Sequence, residues 1–301
     1  MIVIGSRGSK LALWQAEHVR SLLAGHGLEA RIEIIHTTGD HITDVSLAQL
    51  GKQTSTKGLF TKELEEALLD GRVHLAVHSL KDMPTELPAG LRLAAIPARE
   101  DVRDALCGRT LADLPPGAKL GTSALRRQAQ LQALRPDLEI QSIRGNVDTR
   151  LRKLEEGQYD AIVLAAAGLK RLGWTARIAE YLPIEQSCPA VGQGALAIET
   201  REDFHLADVL DVAEVRLAVT AERAVLRHLG GGCQVPIGAH AMVTGDQLSL
   251  RAVVISPDGT RLIRRESSGL ATEAEAIGGA MAAELLAAGA QSILDEVYGR
   301  A

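Results

Sequence analysis

The sequence predicts an α/β fold through its first two parts and a smaller α+β domain at its end. Strand-like and helix-like apolar patterns alternate from the first residues, and the alternation resumes after a break near Arg99–Asp101. The closing segment replaces it with consecutive strands and then helices. Strand–helix–strand alternation implies parallel strands joined by crossover helices. Consecutive strands of alternating polarity imply an antiparallel sheet with one wet face.

In the first part, Ile2 to Ile4 reads as a strand. Ala12, Ala16, Val19 and Leu23 then fall on one face of a helix. Ile32–Ile35 and Val73–Val77 are further strands, with a helix marked by Phe60, Leu64, Ala67 and Leu68 between them. In the second part, strands are expected at Lys119–Gly121, Leu138–Ile143 and Ala161–Leu164, and helices at Ala124–Leu134 and Val147–Glu156. Ala195–Ile198 reads as one more strand, returning to the first domain. A helix near Glu214–Leu229 stops at Gly230-Gly231-Gly232. Strands at Gly238–Val243, Leu248–Ile255 and Leu262–Ser267 follow, then an Ala-rich helix from Glu273 to Ala288. Asp40 to Lys57 is long, polar and Gly-flanked, as expected of a lid or mobile loop.

Composition limits the function classes. The 301 residues are 46% apolar but only 2% aromatic, so cores are built from Ala, Val, Leu and Ile, and base-stacking platforms for nucleic acid are disfavoured. Net charge is −5, yet Lys119 to Arg177 holds eleven Lys and Arg against six Asp and Glu. A basic region inside an acidic chain suggests a small anionic ligand rather than a polyanion. Cys107, Cys188 and Cys233 are too scattered for a disulfide framework or a zinc pattern. No export signal and no run of about 18 apolar residues is evident. A cytoplasmic protein with neither membrane nor nucleic-acid partners is expected. His74 and His78 lie four apart in a strand, where they share no helical ligand face, so no metal site is expected.

Several segments could carry chemistry. Val77 to Pro84 follows a strand and brings His78, Ser79, Lys81 and Asp82 together. Ligands in open α/β sheets bind beyond the carboxyl ends of strands, and Asp82 there could act as a general acid–base or stabilise a cation. A surface turn before a proline reads the same way. Gly121-Thr122-Ser123 ends a strand and opens a helix carrying Arg126 and Arg127. A Ser or Thr cap with free N–H groups would suit an anion, although an ordinary capped helix has the same sequence. Arg144–Arg150 and Lys170-Arg171 add basic points at equivalent positions, and convergence at one sheet edge would favour a polycarboxylate or phosphate. Cys233 follows three glycines that would let a bulky group approach its sulfur, but a small buried residue is the commoner role. Glu222, on the apolar face of its helix, is expected to be a structural carboxylate ion-paired at a domain contact.

Taken in order, these segments resemble the porphobilinogen deaminase (hydroxymethylbilane synthase) family. The matching stretches are Gly5–Ala16, Lys57–Phe60, His78–Pro84, Gly121–Gln128, Ile143–Arg150, Ala167–Gly173, Pro189–Gly194 and Gly231–Gly238. Each is weak alone; the ordered set is specific. The resemblance implies three domains. Residues 1–98 with 190–212, and residues 99–189, would form two periplasmic-binding-protein-like lobes with a cleft between them. Residues 213–301 would form the α+β domain that bears the cofactor.

It implies a monomeric transferase that condenses four porphobilinogen molecules, with loss of ammonia, onto a covalent dipyrromethane primer in tetrapyrrole biosynthesis. The primer would be held by a thioether to Cys233, overriding the bland reading of that cysteine. Asp82 would be the catalytic carboxylate. Ser79, Lys81, Thr122, Ser123, Arg126, Arg127, Arg144 and Gly145 would bind the cofactor. Arg7, Ser9, Phe60, Arg150, Arg171 and Gln193 would bind porphobilinogen or the growing polypyrrole. The chain departs from the family at Ala124, where Ser is common, at Gly230, where Glu is common, at Gln49, and in a longer Gly51–Lys57 loop. A non-catalytic two-lobed anion-binding protein is the rival; it would not need Cys233 behind glycines.

Overall fold

The computed structural model describes residues 1–37, 61–231 and 235–299. Phe60, the 40–58 loop with its departures, and Cys233 lie outside the described residues. The chain forms two compact units, Met1–Arg99 with Ala195–Ala213, and Glu100–Gly194 with Glu214–Ala301.

The first unit is a five-stranded sheet. Its strands are β1 (Ile2–Ser6), β2 (Ala30–Ile34), β3 (Leu75–Ser79), β4 (Leu91–Ala95) and β10 (Leu196–Arg201), in the order β2-β1-β3-β10-β4. β1 pairs in parallel with β2 and β3. The side-chain period of two sends Ile2 and Ile4 to one face, where Ala16, Val19 and Leu23 of α1 (Lys10–Gly25) cover them. Val3 and Ala76 face the other way, under Leu64, Ala67 and Leu68 of α2 (Lys62–Leu69). A sheet buried on both faces explains why β1 reads as a continuous apolar run. The returning strand β10 does belong to this sheet, but it runs antiparallel to both β3 and β4.

The second unit contains two sheets. One has β5 (Asp104–Cys107), β6 (Lys119–Gly121), β7 (Glu139–Gln141), β8 (Ala161–Ala165) and β9 (Ile178–Leu182), in the order β7-β6-β8-β5-β9. Three parallel strands are again joined by an antiparallel fourth, here β5. Its helices are α3 (Leu125–Leu134), α4 (Val147–Glu155) and α5 (Ala166–Arg171). The strands β4, β5 and β9 go unmarked in the sequence pattern.

The other sheet is the expected antiparallel meander, β11 (Ile237–Thr244), β12 (Gln247–Ile255) and β13 (Leu262–Leu270). Leu248, Leu250, Ala252 and Val254 alternate inward onto α6 (Ala213–His228), α7 (Ala274–Ala287) and α8 (Ala290–Tyr298). Glu222 of α6 has no solvent exposure. Two of its partners are backbone amides, the N–H groups of Gly192 (2.7 Å) and Ala241 (2.8 Å), which tie α6 to the segment before β10 and to β11.

With few aromatics to fill space, this core depends on close backbone approach. A Cβ at Gly278 of α7 would lie 2.3 Å from the Ala221 carbonyl oxygen and 2.6 Å from the Ala224 Cβ on α6. The Gly278→Ala substitution should therefore force the two helices apart and cost about 1–3 kcal/mol. A lower urea midpoint with an unchanged m-value would show it, and an unshifted midpoint would mean the contact is softer than described.

Candidate functional site

In the first unit, β1 and β3 are parallel neighbours, so the segments leaving them emerge at the same sheet edge. Arg7 and Ser9 follow β1, and Lys81 and Asp82 follow β3. The chain after β3 makes one tight turn over Leu80–Asp82. Leu80 is buried and its N–H donates to the Ala195 carbonyl (3.1 Å), and the Met83 N–H closes the turn on the Leu80 carbonyl (3.1 Å). Anchored at both ends, the turn leaves Lys81 half-buried and Asp82 exposed.

Ser9 caps α1, its Oγ accepting the Ala12 N–H at 3.3 Å. Ser79 accepts a hydrogen bond from Gln15 Nε2 (2.9 Å), which fixes the end of β3 to α1. His78 points to the opposite face from Ser79 and is buried against Glu199, Nε2 to Oε2, 3.0 Å. The structure therefore separates this imidazole from the polar group read in the sequence. Burial pushes the neighbouring Glu65 carboxyl above its usual range, and Glu199 adds to that shift.

In the second unit, β6 runs parallel to both β7 and β8, and the basic segments follow these three strands. The helix cap expected from Thr122 or Ser123 is instead Ala124, with no side-chain cap bond. Thr122 Oγ1 accepts the Ala124 N–H (3.2 Å). Ser123 turns away to donate to the Ile143 carbonyl and meets Ser142 Oγ at 3.0 Å, linking the loops after β6 and β7. Gly145 has φ of 111°, and a Cβ there would lie 2.7 Å from Thr149 Cγ2, so only glycine suits the position. Its carbonyl accepts Arg150 Nε at 2.7 Å.

Arg126 and Arg127 are 4% and 5% exposed, far from the solvated arginines of an ordinary surface helix. Both grip Asp104, the fully buried first residue of β5. Oδ2 takes Arg126 Nη1 at 2.8 Å and the Ser187 hydroxyl at 2.9 Å. Oδ1 takes Arg127 Nε at 2.9 Å and Gln193 Nε2 at 2.8 Å. The two guanidiniums outweigh the desolvation penalty and hold the Asp104 carboxyl far below the usual carboxylate range. Arg171 is also buried, donates Nη2 to the Gly194 carbonyl (2.7 Å), and is lowered to about 10 by that burial. Arg144 has a buried Nη1 with no acceptor.

The sequence reading singled out the arginines but missed Asp104 and Ser187. A lone acid heading the apolar run Ala105-Leu106-Cys107 is the one signal that could have exposed Asp104. Two guanidiniums against one carboxylate leave a surplus positive charge, and Arg144 adds an unused donor. That donor set fits a polycarboxylate.

Cys107 and Cys188 are buried, and burial raises their thiols to about 11 and about 12. The thiolate is the reactive form. Dithionitrobenzoate at pH 8 should leave both unmodified in the native chain and label both after unfolding in urea. Peptide mass mapping would read the result, and native labelling of either would contradict the packing.

The segment 2–208 matches the family model described as porphobilinogen deaminase, dipyrromethane cofactor binding domain, and 216–287 matches the porphobilinogen deaminase C-terminal domain. The porphobilinogen deaminase of Geobacter sulfurreducens is 54% identical over 305 residues, covering 99% of this chain and 95% of the relative. That of Nitratidesulfovibrio vulgaris is 53% identical over 312 residues, covering 99% and 97%. Among solved structures, a periplasmic substrate-binding protein of an ABC transporter from Coxiella burnetii aligns at 14% identity with a TM-score of 0.43, covering 70% of this chain and 90% of that one. With family models spanning both units and relatives matched almost end to end at over half identity, the chain belongs to the porphobilinogen deaminase family.

Proposed function

We propose that this protein joins four porphobilinogen molecules, with loss of ammonia, into hydroxymethylbilane on a dipyrromethane primer carried as a thioether on Cys233. The observation that carries the reading is the match to relatives named porphobilinogen deaminase, at 54% identity over 99% of the chain. In this reading residues 1–98 with 190–212, 99–189 and 213–301 are three domains, supported by the three separate sheets. The protein works as a cytoplasmic monomer without nucleic-acid or membrane partners. Its net charge of −5 supports the first of these exclusions.

The dipyrromethane group supplies, when bound, the anchored pyrrole at which the chain starts. Asp82, on its anchored and exposed turn, serves the departure of ammonia from porphobilinogen. The C–N bond of the protonated aminomethyl group breaks, ammonia leaves with the bonding electron pair, and the positive charge passes to the pyrrole. A carboxylate holding the pyrrole N–H stabilises that charge, and it can take the proton released when the new C–C bond forms.

Each porphobilinogen brings an acetate and a propionate, so every addition adds two negative charges. The cationic set of the second unit answers them. Thr122, Ser123, Arg126, Arg127, Arg144 and Gly145 serve the primer, with Ser79 and Lys81 from the first unit. Arg150, Arg171 and Gln193, with Arg7, Ser9 and Phe60, serve the incoming and growing pyrroles.

The Asp82→Asn substitution should leave a folded chain that still carries its primer, while turnover falls by roughly 10²–10⁴-fold. Near-normal tetrapyrrole production by that variant would remove Asp82 from the mechanism. Intact mass tests the primer itself. The chain purified from cells that make the cofactor should carry a covalent adduct, and the Cys233→Ser variant should not. An unmodified wild-type mass would instead favour the non-catalytic anion-binding protein.

A further inference from the structure

We infer that Asp104 is a positioning residue of the primer site: it sets the orientation of Arg126 and Arg127 and leaves one positive charge for a carboxylate of the bound group. The inference rests on the proposed function above and deepens it.

Arg126 and Arg127 are consecutive on α3, so their side chains diverge by about 100° around the helix axis. Left alone they would point to different surroundings. Here both bend to one carboxylate: Oδ1 accepts Nε of Arg127 and forms an ion pair with its Nη2 at 2.8 Å, while Oδ2 accepts Nη1 of Arg126. The planes are locked from behind as well. The Cys188 carbonyl accepts Arg126 Nη1, and the Val163 carbonyl accepts Arg127 Nη1 at 3.2 Å. Ser187 and Gln193 fill the remaining acceptor positions of the carboxylate.

Asp104 thus has no exposed oxygen with which to touch a ligand, which excludes it as a binding or catalytic group. Its effect must pass through the two arginines. A buried carboxylate facing two buried guanidiniums also leaves the set one positive charge in excess, and a buried uncompensated charge is costly until an anion meets it. A primer carboxylate removes that cost.

The test compares Asp104→Asn, which keeps the shape and removes the charge, with Asp104→Glu, which keeps the charge and changes the reach. The full-length chains are expressed in cells that make the cofactor, and the loaded fraction of soluble, folded protein is read by intact mass. Asp104→Asn should fall at least tenfold in loaded fraction, and Asp104→Glu should recover part of it. In loaded molecules the substrate KM should rise more than kcat falls. A purely structural role would instead lower the urea midpoint and leave the loaded fraction of folded chains unchanged, and that result would overturn the inference.

If Asp104→Asn does not fold, Ser187→Ala keeps every charge and removes one bond to Oδ2. It should raise KM about threefold, and a KM equal to wild type would count against the inference. Failure of the underlying function would look different, because the wild-type chain itself would then carry no adduct.

Discussion

A single carboxylate with no solvent exposure organises the basic region of this protein. Asp104 binds two guanidiniums, a hydroxyl and an amide, and so fastens β5, the start of α3, and the segment before β10 to one point. Stability alone does not account for such a cluster. Burying three charges costs several kcal/mol per ion, and apolar replacements of similar volume are often neutral or stabilising. In the proposed reading the cluster provides two cations whose directions are fixed before a ligand arrives, so that little side-chain entropy remains to be lost on binding.

The surrounding packing serves that fixation. Cys188 is joined to α3 through Gln130, whose Oε1 accepts the Cys188 N–H at 2.7 Å while its Nε2 donates to the Cys188 carbonyl at 3.2 Å. On the other side, a Cβ at Gly238 of β11 would lie 3.1 Å from the Cys188 sulfur, so the antiparallel sheet presses directly on this segment. Cores made of Ala, Gly and small aliphatics permit such close backbone approaches. The scarcity of aromatics noted in the composition is therefore a geometric asset, since elements packed at short range have little room to rotate the arginines they hold.

Much of this was legible in the sequence, for definable reasons. The apolar faces of α1 and α2, the strand β6 and the strands β11–β13 follow from periodicity. Strand direction does not: a period of two looks the same in parallel and antiparallel strands, so β5 and β10 gave no sign of their orientation. At the site, Arg126 and Arg127 were visible as a basic pair, but their burial was not, because it depends on an acid about twenty residues earlier that looks like a turn residue. The Thr122–Ser123 cap failed because Ser123 finds a better acceptor in the loop after β7, a tertiary contact that no local pattern encodes. Proximity in sequence groups His78 with Asp82, while strand alternation sends His78 to the opposite face from Ser79.

In the proposed reading the chain uses its two aspartates in opposite ways. The guanidiniums around Asp104 hold its carboxyl far below the usual carboxylate range, which suits a fixed charge and not an acid or a base. Its value is as a fixed charge. Asp82 stands on a short turn, exposed, with Leu80 and Met83 anchoring the backbone on either side. In the proposed reading Asp82 keeps the exposed carboxylate that proton transfer requires, whereas Asp104 acts only through the guanidiniums it holds.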